Sequence, residues 1–78
     1  MRLNELVETI AKTLVNDPAA VEVREIEGAL SSMIEVRVSP TDLGMVIGKR
    51  GRTADALRTI TSAVAAKLRK RAVLDIIE

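Results

Sequence analysis

The sequence predicts an α+β fold with the element order α-β-β-α-α-β, a three-stranded mixed sheet carrying three helices on one face. Three observations lead there. Apolar residues at helical spacing open the chain. Two strand-like runs then flank a short glycine turn. Finally, two helical stretches separate the second of those runs from a last β-branched one.

Leu3, Leu6, Val7, Ile10 and Leu14 recur at helical spacing, so residues 3–15 form an amphipathic helix. Asn16-Asp17-Pro18 ends it, because the residue before a proline is pushed out of the helical region. Val21-Glu22-Val23-Arg24 alternates apolar and charged and reads as a strand to about Glu27, with Ile26 breaking the alternation as a bulge or an early end would. Gly28-Ala29 is the turn, and Ser32 to Val38 is a second strand with Ile34, Val36 and Val38 on one face. Ser39-Pro40-Thr41-Asp42 is a helix start, with Ser39 at the N-cap, Pro40 at the first helical position and Asp42 near the positive end of the dipole. That helix is short, because Gly48 soon follows. A long helix runs from Arg52 to Lys70, with Ala54, Leu57, Ile60, Val64 and Leu68 on one face. Ala72 to Ile77 is the last strand. A return through two helices suits a parallel strand pair.

Seventy-eight residues allow one domain, 1–78. A chain this small buries only roughly 60% of the surface it exposes when unfolded, so association would be a natural supplement to its stability. Cysteine and histidine are both absent, which removes disulfides, thiolate sites, the commonest general base and the commonest metal ligand. With no paired-carboxylate constellation either, no catalytic residue, metal or cofactor is expected, and the chain does not read as an enzyme. No apolar run approaches the roughly 18 residues that cross a membrane. Asn4, Glu5 and Glu8 interrupt any leader-like core in the first ten residues, so a cytoplasmic protein without membrane insertion is expected.

Charge is unevenly distributed. Residues 1–42 hold four basic residues against eight acids, and residues 43–78 hold eight against three, a net −4 followed by a net +5 within an overall +1. Such polarity points to a basic face for an anionic partner, although solvated helix faces in uneven order give the same tally. The aromatic content is 0%, so a nucleic-acid contact would have to work without aromatic stacking.

The segment Gly44-Met45-Val46-Ile47-Gly48-Lys49-Arg50-Gly51-Arg52 concentrates the chemistry. Two glycines let the backbone turn sharply and come close to a ligand. The next helix starts directly after them, so its free N–H groups face the same spot, where Lys49, Arg50 and Arg52 add positive charge. The arrangement suits a sugar-phosphate backbone. A phosphate loop of the G-x-x-x-x-G-K-[ST] type does not fit, because three residues rather than four separate Gly44 from Gly48, and Arg50 stands where the hydroxyl is needed. The dinucleotide pattern G-x-G-x-x-G is absent. A bare G-x-x-G also serves as a plain helix-loop-helix turn.

Val46-Ile47-Gly48-Lys49-Arg50-Gly51, set between two helices inside β-α-α-β, resembles the KH domain, whose GXXG loop clamps four nucleotides. The α-β leader resembles the type II, prokaryotic arrangement. The run Ser39 to Gly44 into the loop, followed by Gly51-Arg52-Thr53-Ala54, is similar to the small bacterial single-KH proteins of the KhpA type. Ala54 departs from many KH domains, where a larger aliphatic residue follows the loop. The resemblance implies a cytoplasmic single-stranded-RNA binder, chaperone-like or regulatory, working with a larger KH protein (KhpB-like) or as a homodimer, in a system tied to cell-wall growth and cell shape. It implies that Gly48 and Gly51 shape the loop and that Lys49 and Arg50 face phosphates. Gly44, Val46 and Ile47 would line one wall, with Arg52 beside them, and the sheet edge with Arg69, Lys70 and Arg71 would supply the other. Val46 and Ile47 fit an ordinary core equally well, and Arg58 and Lys67 read as a solvated helix face. A module whose purpose is homo- or heterodimerisation through the long helix, with RNA contact secondary, stands as the alternative.

Overall fold

A computed structural model describes residues 2–77, so the two ends of the domain expected over 1–78 lie outside the described residues. Helix α1 (Leu3–Leu14) places Leu3, Val7 and Ala11 inward at a spacing of four, and the chain leaves the helix at an extended Val15. A 3-10 turn over Pro18–Ala20 leads into strand β1 (Glu22–Glu27), which pairs antiparallel with strand β2 (Ser32–Arg37). The register runs without interruption from Glu22 opposite Arg37 to Glu27 opposite Ser32. There is therefore no bulge at Ile26, which faces Met33 on the open side of the sheet. The turn is wider than Gly28-Ala29 and is closed by the Gly28 N–H donating to the Ser31 carbonyl at 2.7 Å.

A 3-10 turn (Pro40–Asp42) then precedes helix α2 (Leu43–Ile47), a turn over Lys49–Gly51, helix α3 (Arg52–Lys67) and strand β3 (Ala72–Ile77). The strand order is β1-β2-β3, with β3 parallel to β2 from Ser32 opposite Ala72 to Arg37 opposite Ile77. The crossover through two helices is the expected one. Helices cover one face of the sheet. Ile34 and Val36 of the central strand are completely buried there, against Leu3, Val7, Ala11, Leu57 and Ala65. The other face carries Ile26, Met33 and Val73 in one row and Arg24, Glu35 and Asp75 in the next, and remains largely open.

Three sequence expectations are corrected. The inward stripe of α3 is Ala54, Leu57, Thr61 and Ala65, whereas Ile60 is 45% exposed. With Leu57 inward, positions four and eight residues on share its stripe, and Thr61 can occupy one because its hydroxyl donates to the Leu57 carbonyl at 2.7 Å. The helix also stops at Lys67, short of Lys70. Arg69 reverses the chain in the left-handed region (φ 59°), while Arg69 N–H bonds the Ala66 carbonyl at 3.0 Å and Lys70 N–H the Ala65 carbonyl at 2.8 Å. That is a Schellman closure with arginine where glycine is usual. Finally, Ser39 makes no side-chain cap, and Asp42, which does stand at the start of α2, is engaged elsewhere. Asp42 is buried, and its Oδ2 accepts the backbone N–H of Asp17 at 3.0 Å.

Because Ile34 has no exposed surface, Ile34→Ala is expected to cost about 2–5 kcal/mol. Met33→Ala, one residue earlier on the open face, is expected to change stability by about 0.5 kcal/mol. Urea unfolding followed by far-ultraviolet circular dichroism measures both, and equal losses would contradict the assignment of the two faces.

Candidate nucleic-acid interface

The loop between α2 and α3 takes its shape from its two glycines. Gly48 adopts φ 77° and ψ 172°, a region only glycine occupies at ease. A Cβ built there would lie 2.2 Å from Thr53 Oγ1 and 2.8 Å from the Thr53 nitrogen. Gly48 is thus required by the protein's own backbone. Its N–H closes α2 on the Gly44 carbonyl at 2.8 Å, and the Gly51 N–H returns to the Gly48 carbonyl at 3.1 Å. Arg50 and Gly51 both sit in the left-handed region, at φ 58° and φ 75°. For Arg50 this conformation costs about 1 kcal/mol or more, because its Cβ crowds the following carbonyl.

Gly51 and Gly44 differ from Gly48. A Cβ at either would meet nothing within 4 Å. Gly44 lies inside α2 with ordinary helical geometry, where glycine is less favourable than alanine by about 1 kcal/mol. Neither the packing nor the backbone of this chain calls for a glycine at position 44. What its absence of a side chain leaves open is the approach to the loop from outside.

Lys49, Arg50 and Arg52 are exposed, and among the described residues none of them joins an ion pair. Some basic groups elsewhere are engaged, Arg58 with Asp55 at 3.3 Å, Lys70 with Glu25 at 3.3 Å, Lys12 with Glu8 at 3.7 Å and Arg24 with Glu35 at 4.0 Å, whereas Arg37, Lys67, Arg69 and Arg71 join no ion pair among the described residues. The first turn of α3 starts at Gly51 with no side-chain cap, so its N–H groups open toward the same cations. The loop is a projecting edge, and three hollows on the surface lie elsewhere and include none of residues 48–51.

The remaining sequence-predicted residues separate. Val46 is completely buried, so its side chain belongs to the core and does not line a surface wall. Ile47 is 38% exposed and Met45 44%. Met45 escaped the sequence reading, since nothing in the local pattern distinguishes it from Val46. Arg69, Lys70 and Arg71 lie at the far end of α3, whose 16 residues span about 24 Å. The structure does not bring them beside the Gly48–Gly51 loop. It places them against the β1–β2 turn, in a hollow lined by Gly28, Leu30, Ser32, Arg69, Lys70 and Arg71. Between the two ends runs β3, an edge strand with one side unpaired. Among the described residues no helix is long and apolar enough to cross a membrane, and no group of three or more acidic, His or Cys residues is placed to hold a metal ion.

Comparison with known proteins bears on this geometry. Residues 4–76 match the family model described as KhpA/KhpB, KH domain. A protein of Caldanaerobacter subterraneus named RNA-binding protein KhpA is 55% identical over 75 residues, covering 96% of this chain and all of that protein. Its namesake in Aquifex aeolicus is 53% identical over 76 residues, covering 97% of this chain and 96% of the relative. Among solved structures, Aquifex aeolicus Era bound to GDP and aluminium fluoride superposes with a TM-score of 0.64 at 19% identity, over 95% of this chain but only 29% of Era. That likeness concerns the fold alone. The two-helix crossover, the Gly48–Gly51 loop within it and the match over nearly the whole length place this chain in the KhpA/KhpB KH-domain family.

Proposed function

We propose that this chain binds single-stranded RNA, with the backbone of the Gly48–Gly51 loop and the start of α3 gripping phosphates and Lys49, Arg50 and Arg52 neutralising them. The observation that carries the reading is a concentration of free charge: among the described residues Lys49, Arg50 and Arg52 are exposed without a carboxylate partner, within four positions of each other at the uncapped start of α3. Gly44 and Ile47 form the wall beside the loop, and the open edge of β3 offers backbone donors and acceptors toward Arg69 and Arg71 at the far end. The name RNA-binding protein carried by the KhpA relatives supports the reading. With no aromatic residue to stack on bases, recognition is sequence-tolerant and one domain binds weakly. Useful affinity then comes from joining several such domains on one RNA. The family name links KhpA with KhpB, and the partner we propose is a KhpB-like KH protein or a second copy. The further expectations of a cytoplasmic, chaperone-like or regulatory role tied to cell-wall growth and cell shape rest on the family resemblance.

A second reading, assembly through α3, has an observation of its own. Ile60 is 45% exposed on a face it shares with the exposed Ala56 and Ala63. The two readings are compatible, because this face and the loop are different surfaces.

Fluorescence anisotropy of short single-stranded RNAs is expected to show wild-type binding that weakens with salt, with a log–log slope of about −2 if all three cations contact phosphates. K49D/R50D is expected to abolish it with an unchanged circular dichroism spectrum, aspartate being at ease in the left-handed conformation of position 50. Retained binding would refute the loop assignment. Gly44→Ala is expected to raise the unfolding free energy by up to about 1 kcal/mol while weakening RNA binding, and unaltered affinity would remove Gly44 from the interface. Ile60→Asp is expected to leave RNA binding intact and to reduce any dimer seen by sedimentation equilibrium. A chain that stays monomeric at high concentration, alone and with a KH partner, would end the assembly reading.

A further inference from the structure

We infer that Asp42 is a positioning residue for the RNA interface: its buried carboxylate ties the start of α2, and through α2 the Gly48–Gly51 loop, to the turn that follows α1. The inference rests on the reading of that loop as the RNA-binding element.

Helix α2 has only five residues, far fewer than the roughly 12 at which a free helix becomes even marginally stable. Its place is therefore set by what grips its two ends. At the C-terminal end Val46 is sunk completely into the core. At the N-terminal end the grips are Leu43, partly buried against the same core, and Asp42. This residue occupies the N-cap position, where an aspartate ordinarily turns its carboxylate onto a free N–H of its own helix. Here it makes no such bond. Its Oδ2 accepts the backbone N–H of Asp17, 25 residues earlier in the chain, at 3.0 Å. That N–H is available because α1 has already ended, with Val15 extended and Asp17 at φ −119°.

Asp42 is 1% exposed, and a carboxylate at that depth is costly unless it is bonded. The comparison with Thr61, equally buried, is instructive. Thr61 satisfies its hydroxyl within its own helix, whereas Asp42 reaches between two parts of the chain. Among the described residues the other side-chain hydrogen bond joining distant segments, Lys70 to Glu25, lies on the surface. The Asp42 bond is thus a partly buried link, made by a buried carboxylate, from the arm that carries the loop to the body of the domain. An interface held in place beforehand loses less on binding than one that must be ordered by its ligand. Without the acceptor, the Asp17 N–H loses its protein partner and α2 is anchored through the apolar contacts of Leu43 and Val46.

The test compares wild type with Asp42→Asn, Asp42→Ala, Asp17→Ala and Val7→Ala, using anisotropy of a labelled single-stranded oligouridine at a temperature where each variant is folded. Amide hydrogen exchange by NMR accompanies it. Asp42→Ala is expected to weaken binding by about fivefold or more and to speed exchange of the amides of residues 44–51. Asp42→Asn keeps an acceptor oxygen and is expected to restore wild-type binding. Asp17→Ala is expected to bind normally, because the donor is main chain. Val7→Ala removes core packing in α1 and is expected to lower stability without touching affinity. Because coupling is reciprocal, saturating RNA is expected to slow exchange of the Asp17 N–H in the wild type. Normal binding by folded Asp42→Ala, or an equal loss in Val7→Ala, overturns the inference. Should Asp42→Ala fail to fold, the Asp17 exchange decides alone, and no change on adding RNA overturns it. A wild type that binds no oligouridine overturns the underlying RNA reading instead, so the two failures are distinguishable.

Discussion

The parallel pairing of β2 with β3 is the constraint from which the rest of this molecule follows. Antiparallel strands can be joined by a tight turn, as β1 and β2 are across residues 28–31, but parallel strands require the chain to travel back along the sheet before the second one begins. Here the return is made by α3, which brings the chain from the Arg37 end of β2 to the Ala72 end of β3. The link between β2 and α3 therefore has to redirect the chain at the outer end of the sheet. That link is the 3-10 turn, α2 and the Gly48–Gly51 loop. A sharply bent, exposed loop at the head of a long helix is a consequence of closing this sheet, and the basic residues are placed where topology has already supplied an anion-facing helix start.

The two glycine ends of the loop have different physical origins. Gly48 is fixed from within, by a backbone conformation and by Thr53 pressed against it. Gly51 is fixed by its left-handed φ alone, with open space beyond its Cα, and Gly44 by neither. Arg50 holds a left-handed conformation in which a glycine would be more comfortable. Backbone strain at Arg50 and a helix-weakening glycine in α2 are thus concentrated on one surface. In a domain with so small a core such costs are proportionally large. Their occurrence beside the group of unpaired cations at Lys49 to Arg52 is the pattern expected of a site shaped for a ligand.

Most of the fold was legible in the sequence because it rests on periodicity. Strand β3 has the bounds that the run Ala72 to Ile77 announced, and the inward face of β2 is the one that Ile34 and Val36 announced. The failures occurred where burial depends on satisfying a polar group. Hydropathy favours Ile60 over Thr61, because it does not register a hydroxyl that bonds its own helix. Asp42 read as a dipole charge, because its partner lies 25 residues away and no local pattern marks it. The end of α3 was placed at Lys70, because arginine at position 69 conceals a reversal that a glycine would have advertised. Within the loop, Lys49, Arg50 and Gly51 were legible as a motif. That Val46 belongs to the core while Met45 faces solvent was not, since both are apolar and adjacent and only the docking of α2 separates them.

The charge asymmetry of the sequence becomes selective once pairing is considered. The second half of the chain carries eight basic residues, but Arg58 and Lys70 are held by carboxylates. The cations left without partners fall largely at the two ends of α3, around Lys49 to Arg52 and at Arg69 and Arg71, joined by the open edge of β3. An anionic chain lying along that edge meets positive charge at both ends and backbone donors and acceptors between them, with no aromatic side chain anywhere to read its bases. Under the proposed single-stranded-RNA reading, an extended flexible strand can follow a narrow sheet edge between two groups of cations, whereas a stiff duplex can present only its phosphates to one of them at a time.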